Sequence, residues 1–411
     1  MKRLQPELFD GKRILVRVPN WVGDAVMSLP ALRSLRVALP DAELTLLARP
    51  LVRDVYPLSE LRCALIDYDT QGTERGIGGR LRMTARLRRE EFDCAILFQN
   101  AFDAALISFL SRIPVRAGYS RDGRGFLLTH AVEPLRQIGA AMRSAAAVRA
   151  DVARQPVAAR QGDTPTQSKP PPHEAHYYLE MLKRLGLIHE YPQVRQILLP
   201  GAMASQSEAR EQLRRCIEDA RSEDSQSPGG DSPLIAISPG ASFGTAKRWP
   251  AERYGLLAYQ LQKQVSATCV FFGSAQERLL VERVRAAAGG GISLAGRISL
   301  AEFMQLVRGC QLFITNDTGT MHLAAALDVP TLAIFGPTNE IETRPLSPHS
   351  ELIVGEAECR PCKLRDCPID HRCMTSVAVE TVLGKAIEML GSRPVDHLAV
   401  ANTVAGNAEA S

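Results

Sequence analysis

The amino-acid sequence predicts an α/β protein made of two doubly wound parallel-sheet domains in tandem, with a cleft between them. Three observations carry this expectation. Short β-branched apolar runs alternate with helical patterns over the first part of the chain. The same alternation begins afresh at Pro233 and lasts through Phe335. Several of these runs stop in polar, Gly-containing turns, and open α/β sheets bind their ligands beyond the carboxyl ends of the strands.

The elements follow in order. Arg13–Val18 is a strand closed by Pro19 and Asn20. A helical pattern runs from about Asp24 to Leu39, with Pro30 inside it as an expected kink or restart. Strands follow at Glu43–Leu47 and Phe92–Phe98, then a helix at Asp103–Ser111. Residues 137–172 are rich in Ala, Arg, Gln and Pro and are expected to form a mobile surface insertion. A second insertion, 202–231, combines a charged helical piece with Ser-Gln-Ser-Pro-Gly-Gly-Asp. The second half has strands at Pro233–Ser238, Ala267–Phe272, Gln311–Thr315 and Thr331–Phe335. Its helices open at Trp249-Pro250, at the Ser299–Glu302 capping box and near Gly319. The expected boundaries are 1–195 for the first domain, 196–391 for the second, and a disordered tail at 392–411.

Composition narrows the function classes. The chain has 411 residues, 45% hydrophobic and 23% charged, enough for a substantial core in two or three domains. A net charge of +4 is too balanced for a protein that coats nucleic acid, and 5% aromatics is low for single-strand stacking. No nucleic-acid partner is expected. No run of 18 uncharged apolar residues exists, and Met1–Asp10 lacks an apolar secretory segment, so neither a membrane span nor secretion is expected.

The turns after the strands hold the candidate chemistry. Asn20-Trp21-Val22-Gly23-Asp24 is not a dinucleotide fingerprint, and no Walker A lysine loop occurs. Asp24 reads equally as a helix N-cap or as a cleft carboxylate available as general base. Ser238-Pro-Gly-Ala-Ser242-Phe-Gly-Thr-Ala-Lys247-Arg248 offers free backbone amides and a cationic Lys247, or is an exposed loop. Asn316-Asp317-Thr318-Gly319-Thr320-Met321-His322 leads into an apolar helix whose first amides can hold a diphosphate. Like charges repel, so Asp317 is expected to accept from a sugar hydroxyl or to orient the loop. His322 reads as a phosphate donor or a capping residue. Glu277, after Phe272, reads as a ribose-hydroxyl acceptor or an ordinary first-turn acid.

Two further features stay open. Arg80, Arg82, Arg86, Arg88 and Arg89, with Arg116, Arg121 and Arg124, read as solvated faces or as a patch for an anionic acceptor or acidic membrane surface. Cys359, Cys362, Cys367 and Cys373 have a spacing that falls short of a paired zinc ribbon, so reduced thiols are the default and metal ligation the weaker alternative. Cys63, Cys94, Cys216, Cys269 and Cys310 are scattered, mostly in apolar runs, as reduced core residues are.

Three ordered motifs together resemble the family nine glycosyltransferases, the bacterial heptosyltransferases. These are Asn20-Trp-Val-Gly-Asp-Ala-Val-Met-Ser-Leu-Pro, Pro239-Gly-Ala-Ser-Phe-Gly-Thr-Ala-Lys-Arg-Trp-Pro and Asn316-Asp-Thr-Gly-Thr-Met-His. The resemblance spans most of residues 13–390 and omits both insertions and the tail. It implies a GT-B fold, two Rossmann-like domains facing a central cleft, with the acceptor on the first and the donor on the second. It implies inverting transfer with no required cofactor or metal, from ADP-L-glycero-β-D-manno-heptose to a heptosylated Kdo–lipid A core. The location it implies is cytoplasmic, peripheral to the inner membrane. By the same resemblance, Asp24 matches the general base and Lys247 the donor-phosphate lysine. Asp317, Thr318, Gly319 and His322 match the donor segment and Glu277 a ribose acid, and Ser242 is a further donor-binding candidate. Ser242 and Phe243 stand where the first enzyme of the core pathway has threonines, which points to the second enzyme. Arg116, Arg121 and Arg124 are the acceptor-binding candidates. The alternatives are another GT-B nucleotide-sugar transferase, a GT-B-like sugar epimerase, or a nucleotide-sugar-binding scaffold without turnover.

Overall fold

The computed structural model describes residues 3–134, 144–153, 173–191, 193–199, 205–219 and 232–391. Among them, two six-stranded parallel sheets form the framework. The first sheet comprises β1 (Arg13–Arg17), β2 (Glu43–Ala48), β3 (Cys63–Asp67), β4 (Cys94–Leu97), β5 (Val115–Tyr119) and β6 (His130–Val132). Its order is β3-β2-β1-β4-β5-β6. The second comprises β7 (Leu234–Ser238), β8 (Thr268–Phe271), β9 (Ile292–Ser293), β10 (Leu312–Asn316), β11 (Thr331–Phe335) and β12 (Ser350–Val354). Its order, β12-β11-β10-β7-β8-β9, repeats the same winding. Each sheet therefore has a switch point, β1 against β4 and β7 against β10.

The central strands are apolar except near their ends because helices cover both faces. Ile14, Leu15 and Val16 are all fully buried, and so is every residue of β7, β10 and β11. The strands that sequence reasoning omitted are edge strands, very short ones, or, in β5, an inner strand whose Val-Arg-Ala-Gly-Tyr is interrupted by Arg116 and Gly118. β3 and β12 are only partly buried, and β9 has two residues. Without a continuous apolar run they carry no strand signal of their own.

The Val22–Ala38 helix buries Ala25, Val26, Leu29, Leu32 and Leu35, and packs against two others. These are the Glu174–Leu185 helix of its own half and the Gly319–Ala326 helix of the other half. It runs on through Pro30, so the expected restart does not occur. Proline removes one intrahelical bond, to the carbonyl four residues back. Packing on both sides holds the helix through that gap.

Parts of both insertions are described, and the charged helical piece of the second is a helix. Residues 145–153 form a helix, Ala145–Ala153, whose Val148 is buried against Cys359 and Cys362. Residues 137–143 and 154–172 lie outside the described residues. In the second insertion the helix Gln206–Asp219 buries Ala209, Leu213 and Ile217, four residues apart, and packs on the Leu300–Val307 helix. Residues 220–231 and the tail 392–411 lie outside the described residues.

The chain passes from one half to the other along 193–199. Ile197 N–H donates to Leu346 O at 3.0 Å and Leu199 N–H to Ala326 O at 2.8 Å. The Val379–Gly391 helix stays with the second half, against the Ala251–Gln264 helix. Among the described residues no helix is long and apolar enough to cross a membrane.

Candidate active site

The first wall of the site starts at the end of β1. The buried guanidinium of Arg17 donates to the carbonyls of Val18 and Leu47, at 3.1 and 2.8 Å, and to Asn20 Oδ1 at 2.8 Å. These bonds pin the turn Asn20-Trp21 to the sheet. The helix then begins at Val22, with Trp21 at its N-cap. Asp24 is thus two residues into the helix, and the N-cap reading of Asp24 fails. Among the described residues Asp24 makes no hydrogen bond or ion pair. Burial pushes its carboxyl up to about 6, opposed by Lys247 and reinforced by Asp317. Both of those residues belong to the other half, so Asp24 faces across the interface.

The second wall is organised by Asn316, the last residue of β10. Its Oδ1 accepts from Trp249 N–H at 3.0 Å and from Tyr254 O–H at 2.9 Å. Its Nδ2 donates to the carbonyls of Pro239 and Gly240, at 2.8 and 3.1 Å. One buried amide thereby ties the whole loop after β7 to the neighbouring strand. The loop delivers Lys247 to Asp317, with Nζ 2.7 Å from Oδ2. Thr338 Oγ1 donates to the same Oδ2 at 2.7 Å. Asp317 therefore orients the lysine.

The two walls touch through helix ends. A Cβ added to Gly319 would lie 2.7 Å from the Cβ of Val22, closer than side chains approach, so only glycine permits this contact. Thr318 caps the Gly319–Ala326 helix by accepting from Met321 N–H, which leaves the Gly319 and Thr320 amides facing the gap. His322 lies buried beneath Gly23. Burial pulls its imidazole down to about 4, against the pull of Asp317, so the ring is neutral and carries one N–H.

The remaining sequence-predicted residues divide. Glu277 forms a capping box, its Oε2 accepting from Ser274 N–H and O–H at 2.9 and 2.8 Å, and its carboxylate lies against Gly240. It is at once a first-turn acid and a neighbour of the cradle. Ser242 and Phe243 are exposed at the loop tip, and the Phe243 ring centroid lies 5.3 Å from Lys247 Nζ. Arg116 spends its guanidinium on the main-chain carbonyls of Leu127 and Ile113. Arg124 is fully buried and donates to the carbonyls of Tyr119, Gln99 and Ala101. Both brace the framework, which removes them from the acceptor-contact group. Arg121 remains partly exposed, bonded to Tyr177 and within electrostatic reach of Glu174.

Sequence reasoning missed Glu174 and its neighbour His173. His173 caps the Glu174–Leu185 helix, Nδ1 accepting from Ala175 N–H at 3.1 Å and Nε2–H donating to Arg344 O of the other half at 2.7 Å. Glu174 follows at the interface and makes no hydrogen bond or ion pair among the described residues. Burial pushes its carboxyl up to about 7, helped by Asp24 and Glu342 and opposed by Lys363 and Arg121. Both residues lie just past the Pro-rich stretch, where no strand end flags them.

The cysteine segment holds the second wall from outside. Cys359, Cys362 and Cys373 are buried, Cys367 is partly exposed, and none of the four is in a disulfide. Among the described residues no group of three or more His, Cys, Asp or Glu side chains is arranged for a metal ion. Arg365 O accepts from Ala246 N–H at 3.0 Å, and Asp366 Oδ1 from Thr245 O–H at 2.7 Å. Arg360 donates to the carbonyls of Gly336 and Thr338. The segment thus clamps the two loops that meet at Asp317.

Known proteins share this architecture. The family model described as glycosyltransferase family 9 (heptosyltransferase) matches residues 80–153 and 191–372. Lipopolysaccharide heptosyltransferase 2 of Salmonella typhimurium is 30% identical over 351 residues, 83% of this chain and 87% of that protein. Lipooligosaccharide heptosyltransferase 2 of Haemophilus influenzae is 28% identical over 349 residues, 83% and 88% of the two chains. The structure of Escherichia coli ADP-heptose LPS heptosyltransferase II superposes with a TM-score of 0.67 at 25% identity, covering 92% of this chain and 98% of that one. A family 9 glycosyltransferase from Veillonella parvula gives a TM-score of 0.67 at 20% identity, over 94% and 99%.

Proposed function

Because this chain belongs to glycosyltransferase family 9, we propose that it transfers heptose from ADP-L-glycero-β-D-manno-heptose to the heptosylated Kdo–lipid A core of lipopolysaccharide, with inversion. The observation that carries the mechanism is the meeting of Asp24, from the first switch point, with Lys247 and Asp317, from the second. In this reading residues 1–195 receive the acceptor and 196–391 the donor.

An acceptor heptose hydroxyl attacks the anomeric carbon of the donor. Its proton passes to the Asp24 carboxylate as the new C–O bond forms. The bond from the anomeric carbon to the phosphate oxygen breaks on the opposite face, and its electron pair leaves with ADP. Negative charge grows on the β-phosphate, where Lys247 and the Gly319 and Thr320 amides stabilise it. Removing one such donor costs about 3 kcal/mol in the barrier. Glu277 stands to accept from the ribose, His322 to complete the phosphate cradle, and Arg121 to meet acidic groups of the acceptor. In this reading the enzyme meets its lipid-borne acceptor at the cytoplasmic face of the inner membrane.

The test is turnover of ADP-heptose on the heptosyl-Kdo-lipid A acceptor in EDTA, with wild type, Asp24→Ala and Lys247→Ala. Wild-type turnover, with both variants strongly impaired, is expected. Near-normal turnover by Asp24→Ala removes the base assignment, and preference for UDP over ADP in a thermal-shift competition removes the donor assignment.

A further inference from the structure

One face of the first half carries a continuous apolar surface that the transfer mechanism does not use. The helix Gly76–Arg89 turns its buried face, Gly79, Met83 and Leu87, toward the sheet. Ile77 and Leu81, four residues apart, stand outside that face and are 75% and 58% exposed. The neighbouring helix Phe102–Leu110 likewise exposes Phe102, Phe109 and Leu110 along one stripe. The two helices are joined side by side, with Arg88 donating to Leu110 O at 2.7 Å and Arg80 paired with Asp103. Phe126, 77% exposed, extends the surface, its ring centroid 6.2 Å from that of Phe102. Single exposed apolar residues are ordinary, but six adjoining ones are a recognition surface.

Charge says what covers it. Gly76–Arg89 has no acidic residue. Arg82, Arg86 and Arg89 are exposed and lie four and three residues apart, so they form one basic stripe beside the apolar one. Aliphatic and aromatic tips flanked by arginines match an anionic bilayer, whose interface takes the apolar side chains while its headgroups meet the guanidinium groups. The position fits as well. Phe102 follows Ala101, and Phe126 lies two residues beyond Arg124, which grips the Ala101 carbonyl. Both therefore sit at the cleft end of the first sheet, near Arg121.

We propose that the surface formed by Ile77, Leu81, Phe102, Phe109, Leu110 and Phe126, with its Arg82–Arg86–Arg89 stripe, docks on an anionic lipid bilayer beside the mouth of the cleft. This deepens the transfer reading by naming where a lipid-borne acceptor meets the protein. Vesicle binding needs no turnover, so either reading can fail without the other.

The experiment is co-sedimentation of the full chain with phosphatidylcholine vesicles, with and without phosphatidylglycerol. Wild type, Leu81→Glu/Phe126→Glu and Arg82→Gln/Arg86→Gln/Arg89→Gln are compared. Wild type is expected to bind the anionic vesicles, and each variant to partition roughly tenfold or more weakly. Wild type should also bind pure phosphatidylcholine more weakly. Unchanged melting temperatures and turnover on a deacylated acceptor would show that both variants are folded. Equal partitioning of all three proteins overturns the proposal, as does a wild type that ignores anionic vesicles. A wild-type dimer that Leu81→Glu/Phe126→Glu converts to monomer also overturns it, because the occupant is then a second copy of this chain.

Discussion

Lys247 Nζ lies 2.7 Å from Asp317 Oδ2, and the two residues come from loops at adjacent strand ends, 70 positions apart. Their side chains are only 15% and 5% exposed. An ammonium has three donors, and Asp317 occupies one of them. The lysine is therefore aimed before any anion arrives, and two donors remain for a diphosphate.

Asp24 should set the acid side of the pH dependence. Its carboxyl titrates near 6, and only the ionised form accepts a proton, so kcat/KM should rise with pH through that value. Stability runs the other way. The folded pKa is raised, so the fold binds this proton more tightly than the unfolded chain does, and stability is lost between 3.8 and about 6. Asp24→Asn should therefore melt higher than wild type above pH 6, by about 1–3 kcal/mol, with no difference below 3.8, while turnover falls roughly 100-fold or more. Equal melting curves at both ends would contradict the burial of this charge.

Asn316→Ala should unsettle the donor wall. The substitution strands the Trp249 N–H and the carbonyls of Pro239 and Gly240 in a buried place. A loss of about 3 kcal/mol or more is expected in chemical denaturation, together with weaker ADP binding as the Lys247 loop loosens. An ADP affinity unchanged in a folded Asn316→Ala protein would show that the amide does not organise the loop.

Gly319→Ala probes the contact between the halves. The added methyl meets Val22 at 2.7 Å, so the first half must shift away from the donor wall. Turnover should drop by roughly 100-fold with donor affinity nearly preserved, the pattern of misplacement rather than lost binding. Retained turnover would mean that this close approach is not needed for chemistry.

Glu174→Gln separates the two interface carboxyls. Asp24 ionises near 6 and Glu174 near 7, so Glu174 keeps its proton over an interval where Asp24 has lost its own. The wild-type kcat/KM profile should show a second inflection near 7, and the variant only the one near 6. Superimposable profiles would exclude any electrostatic part for Glu174.

The central strands and the three strand-end motifs were legible because burial on both faces writes a continuous apolar run, and the following turn must be polar. The edge strands β3, β6, β9 and β12 were not, since a short or half-exposed strand has no such run, and neither was the inner strand β5, where Arg116 and Gly118 break it. Asp24, Lys247 and Asp317 could be picked out singly. That Lys247 and Asp317 form a pair needed coordinates, because nothing in 70 intervening residues announces it. The basic loop misled in the opposite way. Charge alone cannot tell Arg121 from Arg116 and Arg124, whose guanidinium groups are spent on carbonyls several to 25 residues away. Glu174 carried no signal, because its importance comes from what the other half brings beside it.

The contact at Val22 and Gly319 has one more consequence. Two helices from different domains begin at the same spot, and each contributes about half a positive charge from its aligned peptide groups. Together they amount to roughly one cation made of main chain alone, which no side-chain replacement can delete. A protein stripped of Lys247 should still attract a pyrophosphate, and should fail chiefly at releasing it from the sugar.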